Sequence, residues 1–194
     1  KHAVVTSVNR DDLADGGAAQ FARLTGEIRR VAPKCRVELL IPDLQGNSGA
    51  LAVILEAAPD ILGHNLETVP RLYPQVRQGA SYERSLELLA LARELAPRIP
   101  TKSGLMLGMG ESREELLAAL QDLRRAGCAL LTLGQYLAPT RGHHPVARYV
   151  PPEEFEELAR EAFALGFSHV EAGPLVRSSY HAEEQFKEAE HALL

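Results

Sequence analysis

Six short apolar runs, each ending abruptly in polar residues or glycine, constrain this chain more than any other feature: AVVTSV (3–8), VELLIPD (37–43), DILGHNLE (60–67), KSGLMLGMGE (102–111), LLTLGQY (130–136) and HVEAGP (169–174). Helical stretches follow most of them. This alternation predicts parallel strands joined by right-handed crossovers. The nearly continuous apolar runs predict a sheet covered on both faces. In such folds the side chains at the carboxyl ends of the strands converge on one face, where ligands bind. The residues closing each run are therefore the first candidates for function.

The intervening helices are punctuated clearly. Residues 83–96 carry Leu86, Leu89 and Leu91 to Leu95 as an apolar stripe and stop at Pro97. Ser112 to Glu115 reads as a capping box opening a helix with Leu116, Leu117, Leu120 and Leu123 on one face, closed by Gly127. Pro151, Pro152, Glu153 and Glu154 suit the first turn of another. Phe155, Leu158, Ala162 and Phe163 would form its buried side, and Gly166 its stop. Shorter or weaker helices are expected at 17–32 and 49–57. Asp15, Gly16 and Gly17 do not form a dinucleotide-binding G-x-G-x-x-G, and no phosphate-binding G-x-x-x-x-G-K-S/T is present. A barrel, or part of one, is thus preferred to an open doubly wound sheet. No low-complexity linker divides the chain, so residues 1–194 are expected to form a single domain.

Composition narrows the function classes. A net charge of −5 over 194 residues gives no basic surface for nucleic acid. No apolar segment approaches the roughly 20 residues needed to cross a bilayer, and the start KHAVVTSV is no signal peptide, so no membrane association and a cytoplasmic location are expected. Cys35 and Cys128 lack metal-ligand spacing and read as small buried fillers. Lys1 opens directly into a strand, which leads us to expect missing sequence upstream.

Several strand ends carry chemistry. Thr6, Ser7, Asp11 and Asp12 follow the first strand and either hold a small polar ligand or cap the next turn. Asn65 and Glu67 alternate on one side of a strand end, an amide beside a carboxylate that suits a ribose or an ammonium group. His64, just before them, reads as a hydrogen-bonded core residue rather than a metal ligand. Gly108 and Gly110 permit tight turning and close approach to a flat ligand, while Glu111 and Ser112 either join that site or serve the next helix. Tyr136 and Leu137 sit at another rim, and His143 and His144 in a solvated turn. RSSYHA (177–182) concentrates polar groups after a Gly-Pro break, without the sequence of a nucleophile elbow.

Taken in order, TSVNRDDLADGG (6–17), HNLETVPRLYPQVR (64–77), PTKSGLMLGMGE (100–111), LTLGQYLAP (131–139), HHPVARYVPPEEF (143–155) and GPLVRSSYHA (173–182) resemble the lipoyl synthase family of radical S-adenosylmethionine enzymes. The resemblance spans almost the whole chain. It implies an α/β fold, a partial parallel (β/α) barrel, here without its first strand. It also implies sulfur insertion at C6 and C8 of a protein-bound octanoyl chain by deoxyadenosyl radical chemistry. The cofactors would be S-adenosylmethionine and two [4Fe–4S] clusters, the auxiliary one donating sulfur. By position, Ser179 would be an oxygen ligand of the auxiliary cluster, with Ser178 as the alternative. Asn65 and Glu67 would hold S-adenosylmethionine, with Thr6, Ser7, Lys102, Tyr136 and Leu137 around it. Arg77 and Arg177 are further contributors. The implied partners are an octanoylated lipoyl carrier domain or glycine cleavage H protein, and a reductant such as ferredoxin or flavodoxin.

The departure from the family pattern is equally specific. Neither the C-x-x-x-C-x-x-C motif of the radical cluster nor the second cysteine triplet is present, so this chain alone is expected to be inactive. Two alternatives stand beside that reading. One is a different barrel lyase or isomerase using Glu67, Lys102 and His64 for proton transfer. The other is a non-catalytic module that binds S-adenosylmethionine or a carrier protein.

Overall fold

The computed structural model describes residues 1–179, and residues 180–194, including Tyr180 and His181 of the RSSYHA segment, lie outside the described part. The strands are β1 (His2–Thr6), β2 (Arg36–Leu40), β3 (Ile61–Gly63), β4 (Thr101–Leu107), β5 (Leu130–Gln135) and β6 (His169–Gly173). All neighbours pair in parallel, in the order β1-β2-β3-β4-β5-β6. A doubly wound sheet reverses its strand order near the middle. Here each right-handed crossover steps in the same direction, so the helices accumulate on one face and the sheet is an open, partial barrel. The helices are α1 (Ala18–Val31), α2 (Ser48–Glu56), the four-residue α3 (Tyr73–Val76), α4 (Tyr82–Leu95), α5 (Arg113–Arg125) and α6 (Pro152–Ala164). Among the described residues no helix is long and apolar enough to cross a membrane.

The two faces of the sheet differ in chemistry, because alternate residues of a strand point to opposite sides. Val37, Leu39 and Leu62 pack with α1, α2 and α4, and Leu105, Leu107, Leu131, Leu133 and Val170 pack with α5 and α6. The other face is mostly polar or small: Glu38, Lys102, Gly104, Thr132, Gly134, His169 and Glu171 occupy the intervening positions, with Ile61 and Leu130 as a small buried apolar cluster among them. The expectation of strands apolar on both sides therefore needs correction. The helices cover the convex face, whereas Glu38, Lys102 and Thr132 are buried polar groups of the concave side.

The helices follow local rules closely. Ser112 caps α5 as expected: its hydroxyl accepts from the Glu115 amide at 3.2 Å, and the Glu115 carboxylate accepts from the Ser112 amide at 2.8 Å. Glu115 is also gripped by Arg71 through two bonds of 2.6 and 2.9 Å, so the cap ties α5 to the segment after β3. In α4 the buried positions are Tyr82, Ser85, Leu88, Leu89 and Ala92, and Leu95 of the expected stripe is half exposed. Phe163 of α6 likewise faces solvent, leaving Phe155, Leu158 and Ala162 as its buried side. In both helices an apolar residue near the last turn has run past the layer it was expected to cover.

Ser112→Ala should lower stability by about 1 kcal/mol, the usual cost of losing a helix cap. Urea denaturation should show a lower midpoint with an unchanged slope. An unmoved midpoint would mean that the box contributes nothing to folding.

Candidate functional site

The site begins where β3 leaves the sheet. Gly63 pairs with Lys102, and the next parallel bridge joins Glu67 to Leu105. Four steps along the β3 segment thus oppose three along β4, which leaves one extra residue, as in a β-bulge. The excursion is closed by backbone bonds from Glu67 N to the Gly104 carbonyl (2.9 Å) and from Met106 N to the Glu67 carbonyl (2.8 Å). Glu67 takes up left-handed backbone with φ 68°, a conformation that costs a non-glycine residue on the order of 1–3 kcal/mol. The surrounding clamps hold it there. Leu66 N donates to Ser103 Oγ at 3.1 Å, Tyr73 OH donates to the Leu66 carbonyl at 2.7 Å, and Arg77 donates to the Asn65 carbonyl at 3.1 Å.

The excursion turns Asn65 and Glu67 into a cavity of about 280 Å³, where Asn65 Nδ2 donates to Glu67 Oε1 at 3.1 Å. Gly104 and Gly134 floor the cavity, and Thr132 and Met106 stand beside them. The floor requires glycine. A Cβ on Gly104 would sit 2.6 Å from Thr132 Oγ1 and 3.1 Å from Asn65 Oδ1. The opposite wall is the segment after β6, Val176 to Ser178, together with Leu137. That segment lies directly on β5, since a Cβ on Gly134 would be 2.5 Å from the Val176 carbonyl oxygen.

Burial raises the Glu67 carboxyl above its ordinary range, although the Asn65 amide and Arg77 oppose the shift. A cation entering beside it would restore the ionised form. His64 has the opposite fate. Its Nδ1 lies 2.9 Å from the Ile41 carbonyl and its Nε2 3.0 Å from Ser85 Oγ. A carbonyl only accepts, so Nδ1 carries the proton and Nε2 is left to accept. Burial pulls this imidazole down to about 4. His64 is a neutral core residue that faces away from the cavity.

The expected site residues separate into two groups. Asn65, Glu67, Leu137 and Ser178 line the cavity, with Arg177. Thr6, Ser7, Lys102, Tyr136 and Ser179 do not. Thr6 at the end of β1 and Ser7 after it are exposed, and Ser7 Oγ donates to the Val8 carbonyl at 2.9 Å. Asp15 caps α1 by accepting from Gly17 N and Ala19 N, while Asp12 pairs with Arg10, so this loop serves turn and helix chemistry. Tyr136 is buried, its hydroxyl donating to the His144 carbonyl at 2.8 Å. Lys102 is buried between Glu38 and the Ser178 carbonyl. Ser179 is exposed, one residue beyond the cavity wall.

The glycines after β4 also need correction. Gly108 and Gly110 have φ of 94° and 102°, but a Cβ on Gly108 would meet the Arg148 carbonyl at 2.3 Å, so the close approach is to protein backbone. Glu111 folds back to accept from Gly108 N (2.7 Å) and Met109 N (2.9 Å), which makes it a turn cap. His144 bonds the Met109 carbonyl at 2.8 Å and holds the same turn. The residues overlooked in the sequence are Gly104, Thr132 and Gly134. A glycine inside an otherwise apolar strand was the available signal.

Metal chemistry finds no home among these side chains. No group of three or more His, Cys, Asp or Glu is placed to hold a metal ion among the described residues. Cys128 is buried at the start of β5, with its thiol pushed up to about 12 by burial. Cys35 is only half buried, before β2, at the opposite end of the sheet from the cavity. A [4Fe–4S] cluster therefore does not fit the residues present.

A sequence profile described as the Radical SAM superfamily matches residues 1–123. A lipoyl synthase of Geobacter sp. is 62% identical over 182 residues, covering 94% of this chain and 62% of its own. A lipoyl synthase of Acidithiobacillus ferrooxidans is 59% identical over 186 residues, covering 95% of this chain and 59% of its own. The chain thus spans about three fifths of the curated relatives it matches. Among solved structures, methylornithine synthase superimposes with a TM-score of 0.64 over 99% of this chain and 66% of its own, at 13% identity. That likeness bears on the fold alone.

The state of His64 yields a pH prediction. The unfolded chain protonates His64 near pH 6.5 and the folded chain near 4, so the stability that a neutral His64 contributes is complete above about 6.5. It falls progressively as the pH drops toward about 4, by on the order of 3 kcal/mol. His64→Gln should flatten this part of the stability profile in chemical denaturation. Parallel profiles for the two proteins would refute a buried neutral imidazole.

Proposed function

This chain belongs to the Radical SAM superfamily, and on that premise we propose that its cavity holds S-adenosylmethionine and that the full-length protein is a lipoyl synthase. Membership implies a [4Fe–4S] cluster and S-adenosylmethionine as cofactors. The observation that carries the reading is the Asn65–Glu67 pair, held over the Gly104 floor and facing the Ser178-bearing segment across one cavity. When bound, S-adenosylmethionine would supply, on one-electron reductive cleavage to methionine, the radical chemistry that activates an unreactive C–H bond.

The chain's own groups have distinct tasks in this reading. Glu67 receives the ammonium of the amino acid portion, whose charge reverses the effect of burial on the carboxyl. Asn65 orients that carboxylate through the 3.1 Å bond and offers Oδ1 to a ribose hydroxyl. Gly104 admits the ligand to the sheet surface, where a larger residue would fill the floor, and Gly134 admits the Val176 carbonyl. Arg77 stays outside the cavity and fixes the Asn65 backbone. The thiolates for both clusters are not supplied by Cys35 or Cys128, so no step through a cluster is derived from these residues. Ser179 is proposed as the oxygen ligand of the auxiliary cluster in the full-length protein, with Ser178 as the alternative.

The proposed substrate is an octanoyl chain on a lipoyl carrier domain or glycine cleavage H protein, which receives sulfur at C6 and C8. A ferredoxin or flavodoxin would supply electrons, and we place this chemistry in the cytoplasm. A lyase or isomerase built on Glu67, Lys102 and His64 is less well supported. His64 is neutral and turned toward Ile41 and Ser85, and Lys102 is committed to Glu38.

In the full-length protein, Glu67→Ala should weaken S-adenosylmethionine binding about tenfold or more in calorimetry, the usual cost of a hydrogen bond to a charged group. An unaltered dissociation constant would reject the role. Ser179→Ala should abolish sulfur insertion while leaving cleavage of S-adenosylmethionine largely intact. Undiminished insertion would refute the ligand assignment.

A further inference from the structure

Lys102 has the most unusual environment among the described side chains. It is 2% exposed, and Glu38 beside it 1%. Its Nζ lies 2.9 Å from Glu38 Oε1, and Glu38 Oε2 lies 3.1 Å from His2 Nε2. Burying an ammonium is costly unless partners replace its water. Neutralising Glu38 would need no third element. Yet Nζ also donates to the main-chain carbonyl of Ser178 at 2.5 Å, across 76 residues of sequence. A hydrogen bond from a charged donor to a carbonyl is among the stronger tertiary contacts available.

The segment that Lys102 reaches has few other supports. Val176 is buried, but Leu175 is 81% exposed, and Arg177 and Ser179 are exposed too. Val176 N donates to the Gly173 carbonyl at 3.1 Å, which closes a turn directly after β6. The Val176 carbonyl then rests against Gly134 of β5. From there the chain crosses toward β4, where Lys102 takes the Ser178 carbonyl. Among the described residues the segment is thus held by the turn on Gly173, a steric contact on β5 and an electrostatic one on β4. Between those points lies the wall of the cavity.

We propose that Lys102 is a positioning residue: paired with Glu38, it latches the Val176–Ser178 segment at a fixed height over the cavity and thereby sets where Ser179 is presented. Its ammonium reaches neither the ligand nor the reacting atoms and acts through the segment it holds. The latch explains why a lysine stands one alternation before the cavity floor at Gly104, on the same face of β4. The proposal rests on the reading of the cavity as an S-adenosylmethionine site, and its principal readout is independent of that reading.

The test uses the full-length protein carrying Glu38→Gln with Lys102→Met, which removes both charges so that neither is stranded. Amide hydrogen exchange read by mass spectrometry should become about tenfold faster or more across 174–179, as expected for loss of a charge-assisted bond, with 130–135 unchanged. The dissociation constant for S-adenosylmethionine should rise several-fold. Gly134→Ala, which touches no charge, should reproduce both changes by lifting the Val176 carbonyl. Unchanged exchange across 174–179 would overturn the latch. Equal acceleration throughout the sheet would also overturn it, by showing a general structural role, as would faster exchange with unaltered affinity. If the unsubstituted protein binds no S-adenosylmethionine, the cavity assignment falls while the exchange data still decide the latch.

Discussion

Everything at the concave face depends on the one-residue excursion between Gly63 and Glu67. In a regular parallel pair the residue opposite Leu105 would point toward the helices, as Leu105 itself does. The extra residue puts Glu67 in that place, and its left-handed backbone keeps the carboxylate turned inward beside the Asn65 amide. The cost is a left-handed glutamate, offset by the hydrogen bond that Ser103 accepts from Leu66 N and those that Tyr73 and Arg77 donate. Local strain held by several independent contacts is a common feature of binding sites. Here the contacts come from β4 and from the α3 segment, so the site is specified only once both have assembled with β3.

The rest of the cavity exploits the contrast between the two faces of the sheet. Leucines and valines on the convex side bind the helices and supply the hydrophobic stabilisation. That leaves the concave side free to carry residues that would otherwise weaken a core. Glycines at 104 and 134 thin the sheet where a ligand or the post-β6 segment comes close, and Lys102 with Glu38 satisfies buried charge deeper in the barrel. Polar groups inside a closed space are stable only as satisfied networks. The Lys102 ammonium meets that condition partly by reaching the very segment that walls the cavity.

Most of the architecture was legible in the sequence because it is written in local signals. Ser112 and Glu115 specify a helix start within four residues, and the apolar run at 130–136 forms β5 as its bounded, continuous pattern suggests. Asn65 and Glu67 share a side, as alternation along a strand suggests, but the extra residue and the left-handed backbone of Glu67 that accompany it carry no signal in the sequence. What stayed hidden depends on contacts distant in sequence. Nothing near Lys102 announces Glu38 or Ser178, 64 and 76 residues away. Gly108 and Gly110 looked more like a ligand site than Gly104 because turn glycines stand out, while a strand glycine declares itself only when its neighbour's distance is known.

The central claim is that one cavity, between the Asn65–Glu67 pair and the Val176–Ser178 segment, receives S-adenosylmethionine. A crystal structure of the full-length protein grown with S-adenosylmethionine tests this most directly. The account predicts the nucleotide over Gly104, its ammonium on Glu67 and the Val176–Ser178 segment closing the far side. A nucleotide bound elsewhere, with Glu67 and Asn65 still facing only each other, would contradict it.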